Sequence, residues 1–235
     1  MAQIPKISVI FITKRNGWFD ILKDDMERQT FKDFEVIVAN DSDDWRDMPG
    51  WDVFKPRQKK EGDRLNVCKA YNDCLDKAKG ELLVFLQDFI WIPSNGLQRF
   101  WDSYQLFPNA MITGVGHKAK NGLEGISETD FRVFGDEEYA KVNYSYWESN
   151  WASCPRNFMP RYNEDMDKFY GGDNQYVSYK AEQNGHPTII DRRNVCIGYS
   201  QEHCGGRPED WETWHVNKRE RLQKFLNGDI ISEIE

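Results

Sequence analysis

The stretch Gly80–Pro93 reads GELLVFLQDFIWIP. Leu82 to Leu86 are apolar without a break, and Gln87 ends the run. Such a run is too short for a helix of its own. It suits a strand buried on both faces, because the strands of a parallel sheet read as near-continuous apolar segments. Asp88 follows at once. In an open α/β sheet, ligands bind outside the carboxyl ends of the strands. An acid at that place, with Phe89 and Trp91 close by, is the first candidate for the centre of a site. The position also suits a plain turn former, so the flanking chain must decide.

Upstream, Ile7–Ile12 (ISVIFI) is a second buried strand, and Thr13–Gly17 is a polar loop at its carboxyl end. From Trp18 to Gln29, Phe19, Leu22 and Met26 recur at helical spacing. Phe34–Ala39 (FEVIVA) is a third strand, broken by the acidic loop Asn40–Asp44. Strand, helix, strand implies a parallel pair joined by a crossover. Residues 45–63 carry Pro49-Gly50, Pro56 and the cations Lys55, Arg57, Lys59 and Lys60, a solvated loop with room for one short strand. Leu65–Lys79 is the next helix, with Ala70, Tyr71, Cys74 and Ala78 turned inward. Two βα units thus precede Asp88, as in an open nucleotide-binding sheet.

Downstream, the pattern predicts a helix over Gly96–Leu106 and a strand over Met111–Gly116. Residues 117–168 lack periodicity and are rich in Trp, Tyr, Asn and Pro, which predicts mixed strands and loops. Phe169–Asp173 then leads into a helix, Asn174–Asn184, closed by Gly185. A short strand over Thr188–Asp191, a loop over 199–214 and a charged helix over Lys218–Leu226 complete the chain.

The 235 residues, 39% hydrophobic and 14% aromatic, can bury a large core. A formal charge of −8 weighs against broad, non-specific binding of nucleic acid, which rests on cationic surface. A local basic groove stays open. No apolar run is long enough for a membrane span or has a secretory cleavage pattern, so a soluble, cytoplasmic protein is expected. The five Cys are odd in number and irregularly spaced, which suits reduced thiols.

Four segments in order, SVIFITKRN, QTFKDFEVIVANDSDD, AYNDCLDKAKGELLVFLQDFIWIP and FYGGDNQYVSYKAEQNGH, resemble the inverting nucleotide-sugar glycosyltransferases of GT-A fold, the broad family often numbered 2. The resemblance is clear over residues 5–95, recognisable over 169–187 and thin between. It departs from the family pattern at two places. Gln87-Asp88-Phe89 stands where the family usually has Asp-x-Asp, a variant that some bacterial and phage members share, and Tyr71 stands where the family usually has Arg.

The resemblance implies an α/β GT-A fold with a Rossmann-like, mostly parallel central sheet flanked by helices. The whole chain, 1–235, would form a single domain. Residues 1–95 would be its nucleotide-sugar-binding half, and 96–235 its acceptor-binding half with the C-terminal helix. It implies inverting transfer of a sugar from a nucleotide-diphosphate donor, of UDP type, to an acceptor hydroxyl. The leaving diphosphate needs a cation, Mn²⁺ or Mg²⁺, for which Asp88 and His203 are the implied ligands. Thr13, Arg15, Asp41, Arg64, Asn72 and Gln87 are the implied contacts to the nucleotide sugar. Asp173, after Gly171-Gly172, is the implied general base, although an Asp there also reads as a helix cap. The acceptor is open among a saccharide, a lipid-linked glycan and a nucleic acid. A phage-type enzyme glycosylating a hydroxymethylated DNA base and a degenerate nucleotide-sugar-binding protein are the alternatives.

Overall fold

The computed structural model describes residues 4–14, 16, 18–63, 65–88, 90–119, 126–168 and 171–198. The first half is β1 (Ile7–Thr13), α1 (Trp18–Arg28), β2 (Phe34–Asn40), β3 (Asp52–Phe54), α2 (Val67–Lys77), β4 (Leu82–Gln87), β5 (Ile90–Trp91) and α3 (Gly96–Leu106). The second half is β6 (Met111–Ala119), β7 (Ile126–Thr129), β8 (Tyr139–Val142), β9 (Trp151–Pro155), α4 (Asp173–Gln183) and β10 (Thr188–Gly198), with short 3-10 turns between them.

All the strands join one ten-stranded sheet with the path β3-β2-β1-β4-β9-β6-β10-β5, while β7 pairs with β6 and β8 with β10. The parallel character lies in β3-β2-β1-β4 and in the β6–β10 pair. β9 is inserted antiparallel to both β4 and β6. Two reversals restore the original sense, so β6 and β10 end at the same edge of the sheet as β1, β2 and β4. The chain steps outward from β1 to β2 and β3, then returns to place β4 on the other side of β1. That reversal of strand order is a topological switch point, where open α/β sheets hold ligands.

β4 is buried on both faces, as its unbroken apolar run requires. Leu82, Val84 and Leu86 join Val9 and Phe11 under α1 and α3, where Trp18, Phe19, Leu22, Leu97 and Phe100 pack. Leu83 and Phe85 point the other way with Ile10 and Ile37, under Tyr71 and Cys74 of α2 and Val177 and Ala181 of α4. The period-two alternation of a strand makes this division.

Trp151 closes the join between the halves. A Cβ on Gly114 would lie 2.2 Å from the Trp151 ring, and one on Gly96 2.7 Å from its far edge. The indole Nε1 donates to the Asn194 carbonyl at 3.1 Å.

β10 runs seven residues past the expected end at Asp191. Arg192-Arg193-Asn194 is an irregularity inside the strand, where the register against β6 shifts between Ile190 and Val195. Arg193 pairs with Asp191 and Glu138, and the other two side chains donate to main-chain carbonyls. Arg192 donates to the carbonyls of Arg132 and Glu137, and Asn194 to that of Gly96. Among the described residues, four cysteines are buried and free, and no helix is long and apolar enough to cross a membrane. The expected 199–214 loop and 218–226 helix lie outside the described residues.

Candidate functional site

Parallel register sets the site. Thr13 of β1 stands opposite Asn40 of β2, and Ile12 opposite Gln87 of β4. Thr13, Asp41, Gln87 and Asp88 therefore emerge together at the switch point. The Thr13 hydroxyl donates to Asp88 Oδ2 at 2.7 Å, bridging β1 and β4 across that point. The Thr13 carbonyl accepts from the Asp41 N–H at 2.7 Å.

The acidic loop after β2 is held by one amide. Asn40 is buried, and its Oδ1 accepts from the Ser42 N–H at 2.9 Å and the Ser42 hydroxyl at 2.6 Å. Its Nδ2 donates to the Asp44 carbonyl at 2.9 Å. This is the local turn bonding that Asn and Ser favour, and it leaves Asp41 half-buried at the edge. Phe11, Trp18, Leu22, Gln87, Asp88 and Ile90 line a narrow recess beside it.

A buried polar chain runs from this edge to α4. Gln87 Nε2 donates to the Tyr71 hydroxyl at 3.2 Å. Tyr71 and Ser149 Oγ lie 2.9 Å apart, and Ser149 Oγ donates to Asn174 Oδ1 at 2.6 Å. Asp173 is the residue before Asn174 and opens α4. The helix cap is Gly172, not Asp173. Gly171 and Gly172 have φ of 72° and 95°, a left-handed conformation that favours glycine. Asp173 thus sits in the first turn, where the helix dipole favours a carboxylate. Burial pushes the Tyr71, Tyr162 and Cys68 acidities towards higher pKa, and the Asp173 charge adds to the rise in each. The Tyr71 and Tyr162 rings stack with centroids 4.6 Å apart.

Asn72 is not at the ligand-facing edge. It is buried, and its Nδ2 donates to the Tyr162 carbonyl at 3.0 Å and to Glu164 Oε1 at 3.1 Å. Its Oδ1 accepts from the Tyr162 N–H at 3.0 Å. Here the amide seats Tyr162 under Tyr71. Arg15, Arg64 and His203 lie outside the described residues. Thr13, Asp41, Gln87 and Asp88 are brought together at the edge, and the polar chain links them to the start of α4.

A cluster of three or more metal-ligating side chains is absent among the described residues. Among the described residues, Asp41 and Asp88 both bring carboxylates to this edge, and Asp88 is the one the resemblance implies as a metal ligand. A single carboxylate fits Mg²⁺ or Mn²⁺ shared with phosphate oxygens, and does not fit an all-protein cage. Sequence reasoning missed Tyr71 and Ser149. The one available signal was that Tyr71 stands where the pattern the sequence resembles has Arg.

No known family profile matches the chain, and no curated protein matches it by sequence. Solved structures do match its fold. S. aureus TarS 1–349 in complex with UDP superposes with a TM-score of 0.64 at 18% identity, covering 94% of this chain and 71% of that one. The same protein in complex with UDP-GlcNAc gives 0.64 at 17% identity, over 94% and 72%. GalNAc-T7 with UDP, GalNAc and Mn²⁺ gives 0.62 at 13% identity, over 90% of this chain and 46% of that one. The chain has the GT-A fold.

Proposed function

We propose that this protein is a glycosyltransferase that takes its sugar from a UDP-type donor and inverts the anomeric centre. The observation that carries the reading is the switch point itself, where Thr13 and Asp88 are bonded across β1 and β4 and a buried chain from Gln87 ends beside Asp173. The UDP and UDP-GlcNAc complexes of TarS support a uridine nucleotide as the donor's carrier.

In this reading, Asp41 at the end of β2 accepts from the base or ribose, and Thr13 fixes the Asp88 carboxylate facing the diphosphate. Asp88 and His203 would hold a divalent ion, which when bound offsets the charge gained by the leaving diphosphate. Mn²⁺ in the GalNAc-T7 structure supports that class of cofactor. Asp173 takes the proton of the acceptor hydroxyl. As it does so, the acceptor oxygen bonds to the anomeric carbon from the face opposite the diphosphate. The carbon–oxygen bond to the diphosphate breaks, and its electron pair leaves on the phosphate oxygen. One displacement inverts the centre.

Two variants test the reading. Asp88→Ala is expected to abolish the Mn²⁺-dependent part of UDP affinity in calorimetry, and unchanged affinity would reject Asp88 as a ligand. Asp173→Asn is expected to keep UDP affinity and stability but to slow sugar transfer by about 10²–10⁴-fold, the usual share of a general base. Full transfer activity in that variant would end the assignment.

A further inference from the structure

We infer that Ser149 is a positioning residue for the transfer step: through Asn174 it fastens the start of α4, and with it Asp173, to the end of β4. This deepens the reading of Asp173 as the general base of a glycosyltransferase and rests on it.

Strand pairing brings Ser149 to the site. β9 runs antiparallel to β4, with Trp151 opposite Leu86. The turn before β9, which holds Ser149, therefore lies at the carboxyl end of β4. That turn is firmly seated. Trp147 and Trp151 flank it and are both buried, and the Trp147 indole Nε1 donates to the Ser153 carbonyl at 3.2 Å. The Asn150 side chain accepts from the Trp151 N–H at 2.8 Å and donates to Glu148 Oε2 at 3.2 Å. Ser149 itself is fully buried.

The hydrogens run one way through it. Ser149 Oγ lies 2.6 Å from Asn174 Oδ1 and 2.9 Å from the Tyr71 hydroxyl. An amide oxygen carries no hydrogen, so the single hydroxyl hydrogen of Ser149 goes to Asn174. The Tyr71 phenol then supplies the hydrogen at 2.9 Å, and its oxygen accepts from Gln87 Nε2 at 3.2 Å. The row leads from the residue before Asp88 to the residue after Asp173. A buried hydroxyl needs no such reach. Ser178 satisfies its own by donating to the Asn174 carbonyl one turn back, at 2.9 Å. Ser149 instead joins side chains 78 and 25 positions away.

The start of α4 lacks a local fastening of this kind. Its cap is Gly172, which has no side chain to bond the free N–H groups, and Gly171 and Gly172 are both left-handed. A pair of glycines gives the entry to a helix wide backbone freedom. The Ser149–Asn174 bond ties the first turn to a seated part of the sheet instead. A reacting group displaced by about 1 Å can lose about 10²-fold in rate. Ser149 is buried, so it acts on transfer through Asn174 and not by contact with a substrate.

Ser149→Ala tests this in the full chain. It severs α4 from the row and leaves the Tyr71 phenol the Ser149 carbonyl at 3.4 Å, so the fold should hold. Hydrogen exchange by NMR reads the fastening itself. The Tyr176 N–H donates to the Gly172 carbonyl at 2.9 Å, and exchange at amides 176–178 is expected to quicken about tenfold, the weight of one hydrogen bond, with β4 unchanged. UDP affinity with Mn²⁺, by calorimetry, should match that of the unaltered protein. With UDP-GlcNAc, UDP-glucose and UDP-galactose as donors and water as acceptor, kcat for UDP release is expected to fall about 10–10²-fold at constant donor KM. The loss acts through Asp173, so Ser149→Ala/Asp173→Asn should be no slower than Asp173→Asn alone. Three results would overturn the inference: unchanged exchange at 176–178, a loss carried by KM in place of kcat, or multiplicative losses in the double variant. Absence of UDP binding by the unaltered protein, or full turnover by Asp173→Asn, would instead sink the reading beneath it, and the exchange result is independent of both.

Discussion

Asp167→Ala should be among the most damaging single changes outside the apolar core. Asp167 is 1% exposed and lies on the 3-10 turn Glu164–Lys168. Its Oδ1 accepts from the Cys68 N–H at 2.9 Å and its Oδ2 from the Lys69 N–H at 3.2 Å. These are orphan donors at the start of α2, and the local cap residue, Asn66, makes no side-chain cap bond. Lys69 is itself buried, with its ammonium 3.8 Å from Asp167 and bonded to Asp63. Loss of a cap costs about 1–2 kcal/mol. Loss of one partner from a buried ion network costs about 3–5 kcal/mol. The two share one carboxylate and do not add, so the expected loss is about 4 kcal/mol, a large part of the roughly 5–15 kcal/mol that holds a typical domain. Asp167→Asn keeps one acceptor and should lose about half as much. Urea titration reads both as a lower midpoint at constant slope. A loss under about 1 kcal/mol for the Ala variant would refute the capping argument. Both carboxylate oxygens are occupied, so UDP affinity per folded molecule should not change.

Asp25 is buried against Arg28, and burial pushes its carboxyl up to about 7 while Arg28 pulls the other way. A raised folded-state pKa makes its stabilising contribution complete below the unfolded value of 3.8 and lost as pH rises through about 7. Relative to Asp25→Asn, the unaltered protein should therefore lose up to about 4 kcal/mol between pH 4 and pH 8, and parallel stability curves would contradict this. Gly114→Ala puts a Cβ 2.2 Å from Trp151 and 2.7 Å from the Asn194 carbonyl. It should cost about 3 kcal/mol or more, because neither strand can withdraw, and a melting point within a degree of the parent would show that it can.

Half of this fold is legible in the chain because its strands are saturated with apolar residues. β1, β2 and β4 are buried on both faces, so their side chains have no solvent-facing choice and the runs stand out. β9 has the same burial, yet Trp151-Ala-Ser-Cys-Pro hides it. Its small residues face neighbouring strands at close range, and its length is set by pairing with Leu82–Leu86, which no local pattern encodes. The end of β10 is hidden for the opposite reason. Arg192 and the Asn194 Nδ2 donate to carbonyls from elements fifty or more positions away, a long-range arrangement that no local pattern encodes. The places of Asp88 just past a strand and Asp173 at a helix start could be read from the sequence. The Thr13–Asp88 bond spans 75 positions and the Tyr71–Ser149 contact 78, distances over which sequence spacing carries no information.

The two positions at which the sequence differs from the pattern it resembles, Gln87 and Tyr71, are in contact. Gln87 stands where the family usually has Asp, and Tyr71 where it usually has Arg, and here the two side chains touch at 3.2 Å. An acid and a guanidinium at these places would form an ion pair in a buried setting. Tyr71 is fully buried, so a neutral amide and phenol satisfy each other there without the desolvation of two charges. Each substitution alone would leave its partner wrong. Gln87→Asp places a carboxylate against a buried phenol, and Tyr71→Arg buries a guanidinium facing an amide. Each should cost about 3 kcal/mol, and the double variant less than the sum, with a coupling of about 1–3 kcal/mol in a double-mutant cycle. Urea midpoints of the four proteins measure it. Strict additivity would mean that the two positions changed independently and that their contact in this protein carries no energy of its own.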